Sequence, residues 1–147
     1  MKFRFSLAQV LKWRRHQTKQ AQQAFLAAQQ SRLAQEREIE HIEEALQELL
    51  EQSKQPTSTD PGYFRRLAAA RLALQRRHAQ EKQTLERLIR EEEKAQKQLL
   101  EARKAEEALK TLQTLEYERH KQHLLEQERD FMDEQALQTF LRKDSSL

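Results

Sequence analysis

The chain reads as all-α: two long helices forming an antiparallel coiled-coil hairpin with a protruding C-terminal helix end. Three observations predict this. Its 147 residues include one Gly and two Pro, and all three fall between Pro56 and Gly62. Hairpins and tight βα loops need residues that tolerate positive φ, so a chain this poor in glycine excludes most sheet architectures. Charged residues make up 35% and aromatic residues 6%. With Ala, Leu, Gln, Glu and Arg at heptad spacing, that composition marks coiled coils rather than sandwiches.

The first helix is expected over residues 7–54. Ser6 and Gln9 stand three apart, as a capping box requires, and Phe5 and Val10 occupy the flanking staple positions. The connector is expected over 55–61, where Gln55-Pro56-Thr57-Ser58-Thr59-Asp60-Pro61-Gly62 gathers every helix breaker in the chain. Asp60 is placed to cap the second helix, with Pro61 at the first helical position, where its missing N–H costs nothing. That helix is expected over 62–142, followed by a frayed tail over 143–147. The whole, 1–147, reads as one elongated domain. At ~1.5 Å per residue the arms would be about 70 and 120 Å long, a rod rather than a compact bundle.

Alternating steps of four and three trace a seam. On the first helix it runs through Leu7, Leu11, Arg14, Thr18, Ala21, Phe25, Ala28, Arg32, Gln35, Ile39, Ile42, Leu46 and Leu49, weakest at Arg32 and Gln35. On the second it is looser. Leu67, Ala70, Leu74, Leu85, Leu88, Ala95, Leu99, Ala102, Leu109 and Leu112 share their register with polar His78, Glu81, Glu92 and Glu106. After Leu112 the phase slips to Tyr117, Leu124 and Phe131, as at a stutter.

Charge selects how the helices pair. Residues 1–35 carry seven basic side chains and no acid; 36–54 are net negative, and 62–80 carry five arginines and no acid. Folding back at the connector sets residue i against roughly residue 116 − i, which lays the acidic block on the arginine block, as a short connector favours. A parallel homodimer would align like with like. Each exposed pair contributes only ~0.2–1 kcal/mol, but a tethered block of them selects an orientation. In this register everything after about Leu112 lacks a partner in its own chain. An isolated helix with an apolar stripe is marginal in water, so this end is expected to dock on another protein.

Several kinds of chemistry are not expected. One glycine cannot build a phosphate-cradling loop, and a rod offers no concave pocket for an acid/base pair. No enzyme, cofactor or catalytic residue is therefore expected. His120 and His123, flanked by Glu116 and Glu126, have usable metal-ligand spacing, but no second helix completes a shell. A solvated polar face is the stronger reading, and no metal is expected. No cysteine is present, so a reducing cytosol suits the chain. The longest apolar run, Ala24-Phe25-Leu26-Ala27-Ala28, is far too short to span a bilayer, and no signal-peptide core follows Met1. The basic N-terminal segment (Lys2, Arg4, Lys12, Arg14, Arg15, Lys19) reads as a solvated or protein-docking face. Against DNA, seam residues run through it, the chain has no Asn to read bases, and the net charge is only +3.

Three stretches together carry a resemblance. The chain opens Met1-Lys-Phe-Arg-Phe-Ser-Leu-Ala-Gln-Val-Leu-Lys-Trp-Arg; an Ala/Gln-rich helix follows to Ala27-Ala28; near the end come Glu126-Gln127 and Phe131-Met132-Asp133-Glu134. Over nearly its whole length the chain resembles the FliJ family of bacterial flagellar export proteins, with the two end motifs carrying the weight.

The resemblance implies a cytoplasmic, non-enzymatic stalk for an export ATPase ring, peripherally associated with the inner membrane at the flagellar base. The implied partners are a FliI-like ATPase ring, a FliH-like regulator, an FlhA-like gate and export chaperones, with no nucleic acid. The open end would enter the ring pore, through Phe5, Leu7, Leu11, Arg14, Arg15, Leu124, Gln127, Phe131, Asp133 and Glu134. The gate-contacting stripe of some members reads aromatic-x-x-x-Leu-x-x-Ala-x-x-x-His. A similar stripe here is Tyr63, Leu67, Ala70 and Leu74, with Leu where the His would sit, so a hydrogen bond from that position is lost. Leu67, Ala70 and Leu74 read equally well as seam residues. Two other readings remain: an export chaperone that holds apolar substrate segments, and the equivalent stalk of a virulence type III secretion system.

Overall fold

The computed structural model describes residues 2–145 of the chain. Two helices account for nearly all of it: α1, Ala8–Lys54, and α2, Pro61–Ser145. α2 is helical three residues past the expected end at 142; residues 146 and 147 of the expected tail lie outside the described residues, as does Met1 of the opening motif.

The two ends of the connector are held differently. The Lys54 end is closed by the Gln55 N–H donating to the Glu51 carbonyl at 3.0 Å, and by the Ser53 hydroxyl donating to the Leu50 carbonyl at 2.9 Å. Asp60 caps α2 as expected: its Oδ1 accepts from the Gly62 N–H at 3.1 Å and its carbonyl from the Tyr63 N–H at 3.0 Å. The start of α1 departs from expectation. The Ser6 hydroxyl makes no capping box with Gln9; it turns to the Glu116 carboxylate, 3.4–3.5 Å away. The first turn closes through backbone instead, Ala8 N–H to the Phe5 carbonyl at 3.2 Å. Phe5 is buried while Val10 stays exposed, so Phe5 finds its cover outside the expected staple.

The chain divides into two compact units, Thr18–Glu101 and Met1–Gln17 with Ala102–Leu147. In Thr18–Glu101 the two helices pack against each other as a hairpin around Ile39, Ile42, Ala95 and Leu99. Side-chain pairs join the two helices: Glu43 with His78 at 3.0 Å, Glu38 with Arg77, Gln35 with Glu81, and Arg32 with Glu92. All thirteen expected α1 seam positions are buried or half-buried, so the four-three spacing located the packed face along its whole length. On α2 the expected seam is also covered, except Ala70, which is exposed.

The polar breaks in the two seams meet each other. Gln35 donates to the Glu81 carbonyl at 3.0 Å and also reaches its carboxylate. Arg32 pairs with Glu92 across the helices and with Glu36 at 2.8 Å along its own. Its guanidinium is held above its ordinary value, first by Glu92 and then by Glu36. A half-buried charge that has a partner in only one register penalises the others, the role polar seam residues play in setting coiled-coil alignment.

In the other unit, Phe5 and Leu11 are the buried core. Arg15 lies 3.9 Å from Glu106, where the expected register would have put residue 101. Phe3 reaches further still, with ring centroids 5.3 Å from Tyr117 and 5.5 Å from His120. Residues 2–5 precede the helix, and a non-helical residue can advance about 3.3 Å against 1.5 Å in a helix. A short segment therefore covers more of α2 than helical counting allows. Among the described residues the contacts of α2 with this segment run as far as His120, past the expected limit at Leu112.

Candidate functional site

A chain of two helices offers faces rather than a pocket, so the question is which side chains the packing leaves uncovered. Within Thr18–Glu101 the stripe Tyr63, Leu67, Ala70, Leu74 is split. Ala70 is exposed and the other three are half-buried. Tyr63 packs edge-on against Phe64 at 5.5 Å, and its hydroxyl lies 3.5 Å from the Thr57 hydroxyl.

Leu67 lines a cleft of about 150 Å³ with Leu49, Leu50, Ser53, Phe64 and Arg71. Leu50 and Arg71 also line a second opening with Glu43, Leu46, Gln75 and His78. Phe64 and Leu50, both exposed, are the residues that sequence reasoning missed. The signals were present as the doublets Tyr63-Phe64 and Leu49-Leu50. When two apolar neighbours sit on a helix with one seam, the second points off it.

The expected ring-facing set divides by burial. Phe5 and Leu11 are 7% and 3% exposed, so their side chains hold their unit together and present nothing to a partner. Leu7 is half-buried in the same seam. Arg14 lies over the Trp13 ring at 4.8 Å, and Arg15 is tied to Glu106. Trp13 itself, which the seam pattern does not mark, is 51% exposed.

On α2, every residue over 121–145 is exposed, including Leu124, Gln127, Phe131, Asp133 and Glu134. Gln127 bonds to His123 on its own helix at 3.1 Å. Phe131 and Met132 are 60% and 70% exposed. The packed face of α2 continues through Leu109, Gln113, Glu116 and His120. Polar residues thus occupy much of the seam there, while Leu124 and Phe131 are exposed and Tyr117, beside them on the stripe, meets the Phe3 ring.

His120 and His123 do not converge on a metal shell; no group of three or more His, Asp or Glu side chains among the described residues is placed to hold an ion. His120 packs against Phe3, with its Nε2 covered and unpaired. Among the described residues no helix is long and apolar enough to cross a membrane.

The family model described as Flagellar FliJ protein matches residues 2–145. No match was found among curated proteins or among solved structures.

Proposed function

The chain belongs to the FliJ family and is thus a component of the flagellar export apparatus; from that premise we propose that it is a central stalk and coupling factor for a FliI-like export ATPase ring, doing no chemistry of its own. On this reading the molecule is an antiparallel coiled coil whose α2 end protrudes and enters the ring. It acts in the cytoplasm, peripheral to the inner membrane through its partners: the ring, a FliH-like regulator, an FlhA-like gate and export chaperones. The mechanism is differential binding. An asymmetric helix in a pseudo-symmetric pore touches subunits unequally, and can shift their conformations only by as much as its affinity differs between them.

One observation carries the reading: α2 runs on for 121–145 as an unbroken helix with large apolar side chains uncovered. Such a face is marginal in water without a partner. The cleft between Leu50 and Phe64 supports a second contact, with the gate. The decisive experiment titrates the protein into its cognate export ATPase. Hydrolysis should rise and saturate; rates that stay flat across a wide ratio would remove the stalk role.

The exposed stripe also favours a second reading, an escort that holds apolar segments of export substrates. The same stripe in a virulence secretion stalk would look alike. Deleting residues after His120 separates stalk from escort. If substrate binding is lost while ATPase stimulation persists, the overhang is an escort surface.

A further inference from the structure

Two exposed surfaces of this chain complement each other, and neither can reach the other within one molecule. The first lies on the N-terminal segment. Val10 and Trp13, one helical turn apart, are 41% and 51% exposed. Lys2, Arg4 and Lys12 around them are exposed and have no acidic partner among the described residues. The second lies on 121–145. Leu124 and Phe131, seven apart, form one stripe; Glu128 stands between them and Glu134 one turn beyond, on adjoining positions of the helix surface. Glu126, Asp130 and Asp133 line the adjoining side of the helix, which Glu134 joins to the stripe, and none of these acids has a basic partner among the described residues.

The apolar-and-basic face thus matches the apolar-and-acidic face in both terms. Opposed potentials of this kind steer association and fix its register. α2 has no break between Pro61 and Ser145. Its stretch up to His120 already holds Phe3 and Ser6. The segment 121–145 therefore cannot turn back onto its own N-terminal segment.

We propose that the occupant is a second copy of this chain: a two-fold dimer in which residues 121–145 of each copy lie on the N-terminal segment of the other. Two-fold symmetry satisfies both surfaces of both copies at once and closes the assembly. The contact is reciprocal, with the acids around Phe131 of one copy on the bases around Trp13 of its partner. The dimer stands independently of the stalk reading. Joined to that reading it has a consequence: the dimer covers the segment offered to the ATPase ring, so it is a resting form that must part before docking.

The test is sedimentation of the full chain and of two charge-reversal variants, Arg4→Glu with Lys12→Glu, and Asp130→Lys with Asp133→Lys and Glu134→Lys. All five positions are exposed, and circular dichroism checks that the variants stay helical. At about 50 mM salt, where screening is weak, the wild type should run at twice its 17.6 kDa. Each variant should run as a monomer, and their equimolar mixture should recover the dimer. Raising salt to about 500 mM should weaken wild-type association at least about tenfold. A wild type that stays monomeric at about 100 μM in low salt would overturn the proposal. So would a dimer indifferent to both reversals, or a mixture that fails to reassociate. ATPase stimulation is read separately on the Arg4→Glu, Lys12→Glu variant, whose positions lie outside the expected ring-facing set, so loss of the dimer and loss of the stalk role are kept apart.

Discussion

Residues 18–101 and residues 121–145 are built from the same helix formers, yet one stretch is packed and the other bare. In the first, Ile42 is 2% exposed and Leu99 5%; in the second, Phe131 is 60% and Met132 70%. Apolar content does not separate them. Phase does: in 18–101 a line of apolar positions on each helix falls on one seam, although Leu50, Phe64 and Leu72 lie off it, whereas the stripe of Tyr117, Leu124 and Phe131 has left it altogether. Off the seam, an apolar residue without a neighbour such as the Phe3 ring beside Tyr117 is open to another molecule.

The largest effect that would sharpen this contrast is functional. Ending the chain after His120 should abolish stimulation of the cognate ATPase, while the packed part keeps its unfolding midpoint in urea. If the midpoint fell as well, 121–145 would be part of the packing. The next effect is energetic. Ile42→Ala should cost about 2–4 kcal/mol of folding stability, the range for truncating a covered aliphatic side chain. Leu125→Ala or Met132→Ala should change stability by less than about 0.5 kcal/mol. Equal costs in the two regions, measured by chemical denaturation, would dissolve the comparison.

Smaller effects probe the register. Arg32→Ala leaves Glu92 half-buried without its partner and should lower the melting temperature visibly. Replacing both by Met should recover most of the loss, because removing a pair spares the uncompensated charge. The shift on Arg32 is upward, so its contribution is complete at every pH below the ordinary arginine value and is lost only in strong alkali. The deficit of Arg32→Ala should therefore be the same at about pH 6 and about pH 8. By contrast Arg77→Ala, which removes an exposed pair with Glu38, should cost no more than about 0.5 kcal/mol.

The smallest effect has the opposite sign. Gly62 sits in the first turn of α2, and a methyl group there would meet only the Asp60 carboxylate at 3.4 Å. Gly62→Ala should gain a few tenths of a kcal/mol, about half the interior helix preference at most.

Much of the fold could be read from residue order, because the physics that sets it is local or periodic. Pro61, Gly62 and Asp60 mark the start of α2 by what their backbones can and cannot do. Heptad spacing located every α1 seam residue from Leu7 to Leu49. Polar exceptions such as Arg32 and Glu92 were visible as weak points, but not that they meet; that depends on the stagger of the two helices, which long side chains shift by a turn in either direction. The Ser6 hydroxyl illustrates the same limit. Its local partner, Gln9, was plausible, and the Glu116 carboxylate became the partner only because α2 passes there.

The candidate surfaces were less legible. Phe5 and Leu11 look, in sequence, as much like docking residues as Phe131 does. Trp13, Leu50 and Phe64 look like ordinary members of helices. Exposure is a property of what a helix lies against, and no helix encodes that alone.

The amino-acid order by itself determined that there are two helices, where they break, and which line of residues each one buries, since backbone preference and a 3.5-residue period act within a few residues. Only the tertiary structure decided how far along α2 the N-terminal segment reaches, and hence that cover ends at His120. That boundary comes from the stagger between distant segments and from the greater reach of the non-helical residues at the start of the chain, quantities that exist only once the two helices are side by side.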